Sequence, residues 1–141
     1  MPNDRRAFSS LDEQRCRSLL RSTPVGRIVY TRDALPAAVP VNFALYQGDI
    51  VVRTAPGSEL HAATKGSVVA FEIDQIDIGA RSGWSVLVLG RATHVTDPVV
   101  ITELDRLDLA TWMPDRRNQY VRIRAEQITG RLLNGQQPPP W

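Results

Sequence analysis

The stretch from residue 49 to residue 73 constrains the fold of this chain most, because it predicts a strand, a turn, a short helix and a second strand in close succession. An apolar run ends at Arg53-Thr54, Pro56-Gly57 indicates a turn, and Ser58 is a typical helix N-cap residue. Gly66 closes the helix before the next apolar strand. The free N–H groups where such a helix begins suit an anion such as a phosphate, but an ordinary capped connection explains the same residues. Local chemistry alone leaves both interpretations open.

Composition and charge indicate one soluble domain that spans residues 1–141. The formal net charge is only +2 and no run of five like charges occurs, so neither feature indicates a nucleic-acid partner. No secretory signal and no apolar stretch of membrane-spanning length is visible, so we expect no membrane association. The single cysteine, Cys16, excludes an internal disulfide and fits a reducing compartment, which favours a cytoplasmic location and a packed, unreactive thiol.

Helix and strand signals predict a mostly β domain with a few flanking helices. Ser10 begins a capping-box pattern, so a first helix should begin at Leu11, and Asp97-Pro98 opens another helix. We expect residues 1–9 to be a mobile tail, and the same holds for residues 135–141. Alternation and apolar runs predict six strands. These strands cover residues 27–31, 37–46, 50–54, 67–76, 83–95 and 120–132.

The connections between the strands favour a mostly antiparallel barrel over a doubly wound parallel sheet, because too few helices separate the strands. Gln47-Gly48-Asp49 predicts a hairpin, and Pro40 predicts an edge or a bulge. Gly90 inside the longest strand predicts a bulge or a bend of the kind that closes a barrel. No Gly-x-Gly-x-x-Gly or Walker-type loop occurs, so neither common nucleotide-binding fold has support.

Few side chains form a constellation that would carry chemistry. His61 and His94 lie in different elements without ligand spacing, so we expect no metal site and interpret both as surface histidines. Glu72 and Asp74 share one face of a strand and could form an acid pair, although solvent-facing carboxylates are commoner. No side chain is obviously a catalytic acid or base, and no Gly-x-Ser-x-Gly elbow indicates a serine hydrolase.

Two further patterns could meet a ligand. Trp84 is flanked by small hydroxyl residues at the start of a strand, where it could cover a planar ring, but a tryptophan packed in a barrel mouth fits equally well. Arg122 and Arg124 share a strand face and would suit an anion, but a solvated face is favoured. Neither pattern decides a function by itself.

The order of these features resembles the pyridoxamine 5′-phosphate oxidase-related flavoproteins, the FMN-binding split-barrel family. The resemblance covers roughly residues 10–134 and rests on the order and spacing of six stretches, since no single motif is diagnostic. These stretches are residues 25–29, 40–43, 52–58, 68–74, 83–92 and 120–123. The resemblance implies a six-stranded split β-barrel with flanking helices, a homodimer, and FMN held in a cleft at the dimer interface with both subunits contributing.

The resemblance also implies which residues contact the flavin ring and its ribityl chain. Val41 and Asn42 would lie along the isoalloxazine edge. Arg53, Thr54 and Ala55 would contact the flavin or the ribityl chain. These assignments follow from the match to the family pattern and not from the spacing itself.

By the same resemblance, Gly57 and Ser58 would meet the phosphate through backbone N–H groups and a hydroxyl. Trp84 and Ser85 would reach the flavin from the neighbouring strand or from the other subunit. Relatives usually carry a lysine or an arginine after the serine, where this chain has Glu59. A carboxylate there would repel a phosphate unless an arginine compensates.

The resemblance therefore implies an FMN-dependent oxidoreductase that acts on an unidentified small molecule. Oxidation of vitamin B6 is not expected, because residues 130–134 lack the histidine-containing signature of the true pyridoxamine phosphate oxidases. One alternative is a reductase of the same fold that uses the deazaflavin F420. Another is a non-catalytic flavin- or haem-binding barrel, which Glu59 favours. If FMN binds, Arg53→Ala should weaken its binding and His94→Ala should not.

Overall fold

The computed structural model describes residues 8–107, 109 and 119–133 of the chain, and these residues contain nine strands and three helices. The strands are β1 (Phe8–Leu11), β2 (Val25–Arg32), β3 (Leu35–Asn42), β4 (Ala44–Tyr46), β5 (Asp49–Thr54), β6 (Val68–Asp77), β7 (Ser82–His94), β8 (Gln119–Ile123) and β9 (Gln127–Leu133). The helices are α1 (Glu13–Ser22), α2 (Glu59–Ala63) and α3 (Pro98–Asp105). None of these described helices is both long enough and apolar enough to cross a membrane.

The described strands pair in antiparallel fashion and form one curled sheet that makes a half-barrel. Its order is β3-β2-β6-β7-β8-β5-β4, and β9 pairs with both β7 and β1. The fold is therefore mostly β with flanking helices and is of the split-barrel type, as the sequence predicts. The hairpin at Gln47-Gly48, between β4 and β5, is confirmed, and so is the edge position of Pro40 in β3.

Strand β7 changes its partner strand along its length. One edge of β7 pairs with β9 as far as Leu89 and with β8 from Ala92 onwards. A Cβ atom at Gly90 would come 1.6 Å from the carbonyl oxygen of Arg124, so only glycine allows this close approach of two backbones. Gly90 therefore lies where β7 changes its partner strand, and the close approach of the two backbones explains why a glycine stands there.

The barrel interior holds the main hydrophobic core. Phe43 and Phe71 meet edge to face with ring centroids 4.7 Å apart, and the fully buried Cys16 of α1 belongs to the same cluster, as expected. A second, smaller cluster contains Val51 of β5 and Leu104 of α3. Because β5 contributes to both clusters, it is buried on both faces, which explains its nearly continuous apolar sequence.

The first helix begins two residues later than the sequence predicts, and a strand precedes it. Asp12, not Ser10, caps α1, because its Oδ1 accepts a hydrogen bond from a backbone N–H of the first turn at 2.7 Å. Leu11 instead pairs with β9, so residues 8 and 9 belong to a strand and not to a mobile tail. Pairing with a distant strand has overridden the local capping signal. The other residues of the two expected tails lie outside the described part of the chain.

The prediction of six strands is wrong in number, because the described residues add β1 and two of the predicted strands are each divided. Phe43 divides the strand predicted at 37–46: its N–H donates to the carbonyl oxygen of Pro24, and its ring is buried in the core. The strand predicted at 120–132 is divided at residues 124–126.

One carboxylate group, that of Asp49, contacts the chain at the second division. Oδ1 of Asp49 accepts the N–H of Ala125 at 2.9 Å, and Oδ2 lies 2.8 Å from Nε of Arg122 and 3.3 Å from Nη1 of Arg124. The side chains of Asp49 and Arg122 are only 13% and 14% exposed. The interpretation of Arg122 and Arg124 as a solvated strand face is therefore wrong for Arg122, which forms a largely buried ion pair.

Candidate functional site

The turn after β5 opens a cleft between the end of β2, helix α2 and the start of β6. Gly57 adopts a φ of +80°, and Ser58 caps α2 by accepting the N–H of His61 on its Oγ at 3.1 Å. The predicted turn and N-cap are therefore confirmed. We call this space the α2 cleft; its volume is about 490 Å³. Its lining residues are Thr31, Arg32, Gly57, Ser58, Glu59, Ala62, Ala63 and Ser67.

The α2 cleft brings hydroxyl groups and a guanidinium group together. Thr31, Ser58 and Ser67 contribute the hydroxyls, and Arg32 contributes the cation. Such groups are typical ligands of phosphate and other oxyanions. Of these four residues, the sequence predicts only Ser58, because Thr31, Arg32 and Ser67 lie outside the predicted turn and helix. The one sequence signal for a nearby cation was Glu59, because a phosphate bound beside this carboxylate would require a compensating arginine.

Arg32 of β2 is that compensating arginine. Its Nη1 lies 3.2 Å from Oε2 of Glu59, and its Nε lies 3.8 Å from Oδ2 of Asp33. The side chains of Arg32 and Glu59 are 60% and 40% exposed, so the ion pair contributes only about 0–1 kcal/mol. Arg32 can therefore exchange Glu59 for another anion with little loss of stability.

Arg53 and Thr54 project from opposite faces of β5. Nη1 of Arg53 donates to the carbonyl oxygen of Leu109 at 3.2 Å, and its guanidinium lies 5.5 Å from the ring centroid of Tyr120. Thr54 is buried on the other face, where its Oγ1 lies 3.3 Å from Nδ1 of His61. Neither residue is among the described residues that line the α2 cleft.

The remaining residues that the resemblance assigns to the cofactor have varied surroundings. Val41 is 7% exposed and belongs to the barrel core, so any contact with a ligand outside the barrel would use its backbone. Asn42 is half-buried at the end of β3, and Ala55 is half-buried just after β5. Trp84 and Ser85 are half-buried near the start of β7.

Trp84 and the α2 cleft lie at opposite ends of β6. Trp84 pairs with Gln75 near the end of that strand, whereas Ser67, which lines the cleft, precedes its start. The separation of eight residue steps between Ser67 and Gln75 corresponds to about 26 Å along a strand, at about 3.3 Å per residue. Within one chain, Trp84 is therefore too far from the α2 cleft for both to contact one small ligand.

Aliphatic side chains cover much of the sheet surface that points away from the core. This surface, which we call the outer face, is formed by alternate residues of β2, β6 and β7. Val25 and Leu87 are 39% and 37% exposed there, and Val29, Ala70 and Leu89 are half-buried. A surface of this kind is suited to contact with a partner.

Arg27, Glu72 and Asp74 form a charged cluster on the outer face. Nη1 of Arg27 lies 3.3 Å from Oε1 of Glu72 and 3.1 Å from Oδ2 of Asp74. Burial, and then the adjacent carboxyl group of Asp74, raise the pKa of Glu72 to about 7, and Arg27 opposes this shift only in part. The two carboxyl groups therefore do form an acid pair, and the pair is partly buried.

His61 and His94 form a stacked pair that the sequence does not indicate. Their ring centroids are 4.1 Å apart and the ring planes are inclined by 26°. Nε2 of His94 lies 2.9 Å from the carbonyl oxygen of His61, and because a carbonyl only accepts, this nitrogen carries a proton. The interpretation of both as surface histidines is wrong, because the ring of His61 in α2 packs on the ring of His94 in β7 and both residues are half-buried. We call this pair the histidine stack.

Comparison with known proteins agrees with this fold. The family model of the pyridoxamine 5′-phosphate oxidases matches residues 12–132. An uncharacterized protein of Mycobacterium tuberculosis is 38% identical over 134 residues, which cover 92% of this chain and 88% of that protein. The structure of the FAD binding protein from Mycobacterium smegmatis is 36% identical with a TM-score of 0.76, and the match covers 89% of this chain and 98% of that one.

Two other solved structures extend the comparison. A conserved protein of unknown function from Corynebacterium diphtheriae is 31% identical with a TM-score of 0.76, over 90% of this chain and 98% of that one. A FAD-binding protein from Mesorhizobium loti, 24% identical with a TM-score of 0.71 over 89% and 97% of the two chains, shares the fold. The curled sheet and its flanking helices thus define a split-barrel protein. The chain belongs to the pyridoxamine 5′-phosphate oxidase family.

Proposed function

We propose that this protein is a homodimer that binds FMN and acts as an oxidoreductase on a small molecule. Membership of the family and the 36% identity to the FAD binding protein of Mycobacterium smegmatis support a flavin cofactor. The observation that carries the proposal is the α2 cleft, in which Ser58, Arg32 and two further hydroxyls line one volume. A terminal phosphate, which FMN has, is the kind of group that such donors bind.

The α2 cleft fits the phosphate end of FMN. The hydroxyl of Ser58 can still donate a hydrogen bond, because capping of α2 uses only a lone pair of its oxygen. Arg32 would exchange the carboxylate of Glu59 for the phosphate, and Thr31 and Ser67 would add further hydroxyls. Glu59 would then compete with the phosphate for Arg32 and would lower the affinity of the cleft for an anion.

A second copy of the chain would complete the site. Measured along β6 of the same chain, Ser85 and Trp84 lie about 23 Å and about 26 Å from the α2 cleft, so their contact with a flavin ring would have to come from the partner subunit. The aliphatic outer face, with Val25 and Leu87, offers a surface for such pairing. A two-fold arrangement would place the α2 cleft of one subunit near the Trp84 end of the other.

When bound, the flavin would supply the hydride or single-electron transfer that side chains cannot perform. The residues of this chain would hold the phosphate, fix the direction of the ribityl chain and limit the positions open to the ring. Trp84 would cover the ring and exclude water from it. The substrate would then be any small molecule that reaches the uncovered face.

Titration of the purified full-length chain with FMN, FAD, riboflavin and F420, followed by quenching of cofactor fluorescence, tests the proposal. We expect FMN to bind at least about tenfold more tightly than riboflavin, because riboflavin lacks the phosphate. Arg32→Ala should remove most of this difference. The matched control is Arg15→Ala on the exposed side of α1, which should leave it unchanged.

Each alternative gives a different result in the same titration. Equal affinities for FMN and riboflavin would contradict a phosphate site in the α2 cleft. Binding of F420 without FMN would support the deazaflavin alternative, and tighter binding of FAD would assign that flavin. If none of the four cofactors binds, the oxidoreductase proposal is wrong. Sedimentation equilibrium tests the homodimer, which a monomeric mass would contradict.

A further inference from the structure

Helix α2 depends on contacts with the barrel, since it has only five residues and none of them is fully buried. The histidine stack provides one contact, because the rings overlap and His94 donates to the carbonyl oxygen of His61. Thr54 provides another, with its Oγ1 3.3 Å from Nδ1 of His61. Thr64, which is fully buried at the end of α2, lies 3.3 Å from Nε2 of His94. These side chains join α2 to β5 and β7.

The helix held by this network is also one wall of the α2 cleft. Ser58, Glu59, Ala62 and Ala63 line the cleft, whereas His61, between them in sequence, meets the barrel. A displacement of α2 would therefore move half of the lining residues together. The contacts among His61, His94, Thr54 and Thr64 therefore fix the position of this wall, although none of these four described residues lines the cleft.

The surroundings of His61 favour a neutral ring. Burial lowers the pKa of His61, and the neighbouring ring of His94 and then Lys65 lower it further. The acidic residue of α2, Glu59, is paired with Arg32. No ion pair between a described carboxylate and either ring is present to offset a positive charge.

The charged residues of the neighbouring strands do not offset such a charge either. Arg53 of β5 faces Leu109 and Tyr120 on the opposite side of that strand. Arg91 of β7 donates to the carbonyl oxygen of Gly66. Both are cations, so neither would stabilise a protonated imidazole.

We propose that the histidine stack positions α2 for ligand binding and releases it when His61 is protonated, so that acid opens the α2 cleft. A cation on His61 would face another imidazole and a lysine without a counter-ion. The released helix binds the proton more readily than the docked helix, so lowering the pH favours release. The change falls below about pH 6.5, the ordinary pKa of histidine. Its consequence for a ligand rests on the proposed function, whereas the release of α2 does not.

Amide hydrogen exchange on the full-length protein tests the release directly. Peptides that cover residues 58–66 are compared at about pH 7.5 and about pH 5.5 after correction for the intrinsic exchange rate. We expect protection of this segment to fall about three- to tenfold at the lower pH. Peptides from β6, which is paired on both edges, should keep their protection.

Two variants separate titration from packing. His61→Phe keeps a stacked ring and His61→Gln keeps a hydrogen-bonding group for Thr54, but neither can take up a proton in this range. Protection in both variants should not depend on pH. The proposal is overturned if the wild-type protein shows no loss of protection at the lower pH, or if a folded variant shows the same loss. Near-ultraviolet circular dichroism establishes which variants are folded.

FMN titration at the same two pH values tests the consequence for a ligand. Because a phosphate itself titrates near pH 6, the quantity of interest is the difference between the wild-type protein and His61→Phe. We expect only the wild-type protein to lose an additional three- to tenfold in affinity at the lower pH. Absence of FMN binding at both pH values would reject the proposed function, and hydrogen exchange would still decide whether α2 is released.

Discussion

Two arginine–carboxylate clusters in this barrel have opposite balances of donors and acceptors. At Asp49, one carboxylate receives two arginines and a backbone N–H. On the outer face, one guanidinium, that of Arg27, faces the two carboxyl groups of Glu72 and Asp74. Both clusters join strands that are distant in sequence, and both are at least partly shielded from water.

The ratio of donor groups to carboxyl groups determines the role of each cluster. The acceptors of Asp49 are occupied by surrounding donors, so this cluster fixes the chain where β8 ends and the turn to β9 begins. The carboxyl groups of Glu72 and Asp74 must share one cation, and burial adds to their repulsion, so the pKa of Glu72 rises to about 7. An excess of donors gives a structural ion pair, whereas an excess of carboxyl groups gives a site that changes charge near neutral pH.

The largest effect is expected where the donors are in excess. Asp49→Ala should lower the free energy of unfolding by about 3–5 kcal/mol, because Arg122 would remain mostly buried without its carboxylate. Urea unfolding followed by circular dichroism measures the change. The matched control is Asp77→Ala, which removes a single hydrogen bond to the N–H of Ala80 in an exposed turn and should lose no more than about 1 kcal/mol. Equal losses in the two variants would contradict the structural role of the Asp49 cluster.

Local signals in the sequence predicted those parts of the fold that short stretches determine. Ser58 and Asp97 cap helices as expected, Gln47-Gly48 forms the hairpin, and Gly90 lies where β7 changes its partner strand. Each of these outcomes depends on the backbone preference of one or two residues. The barrel class followed because short connections leave few topologies open.

Contacts between distant residues could not be predicted in the same way. Asp49 contacts Arg124 and Ala125, which are far from it in sequence, and the histidine stack joins a residue of α2 to a residue of β7. Arg32 reaches Glu59 only because β2 ends beside α2. Side chains of this kind are brought together by topology, and their sequence positions carry no periodic signal. The nine assigned cofactor residues, FMN and the homodimer stay predictions.

A smaller effect, with a defined pH dependence, is expected on the outer face. The folded protein holds the proton of Glu72 more tightly than the unfolded chain does, so its contribution to stability falls as the pH rises from 4.5 to about 7. Glu72→Gln removes this loss, and after allowance for solvent screening the variant should be more stable than the wild-type protein by about 1 kcal/mol above pH 7. Below pH 4.5, where the carboxyl is protonated in both states, the difference should vanish.

Thermal unfolding across this pH range measures the profile of Glu72→Gln. The control is Glu13→Gln, whose carboxylate forms an exposed pair with Arg17 on α1 and should give a nearly constant difference at neutral and alkaline pH. A variant at Glu72 that is less stable than the wild-type protein above pH 7 would show that attraction to Arg27 exceeds the repulsion from Asp74. The carboxylate of Glu72 would then stabilise the fold as that of Asp49 does, and the proposed difference between the two clusters would be wrong.

Arg32, Glu59 and, at a longer distance, Asp33 form a third cluster, which is the most exposed of the three and should have the smallest effect on stability. Arg32→Ala and Glu59→Gln should each change the free energy of unfolding by less than about 0.5 kcal/mol, because water solvates both partners. Their effects on FMN affinity should have opposite signs: Arg32→Ala removes a phosphate ligand, whereas Glu59→Gln removes the competitor for that ligand. Urea unfolding and flavin fluorescence quenching measure the two quantities on the same samples. If both variants weaken FMN binding equally, the ion pair holds the cleft in shape and Arg32 does not bind the phosphate, since only a competing carboxylate can make the two substitutions act in opposite directions.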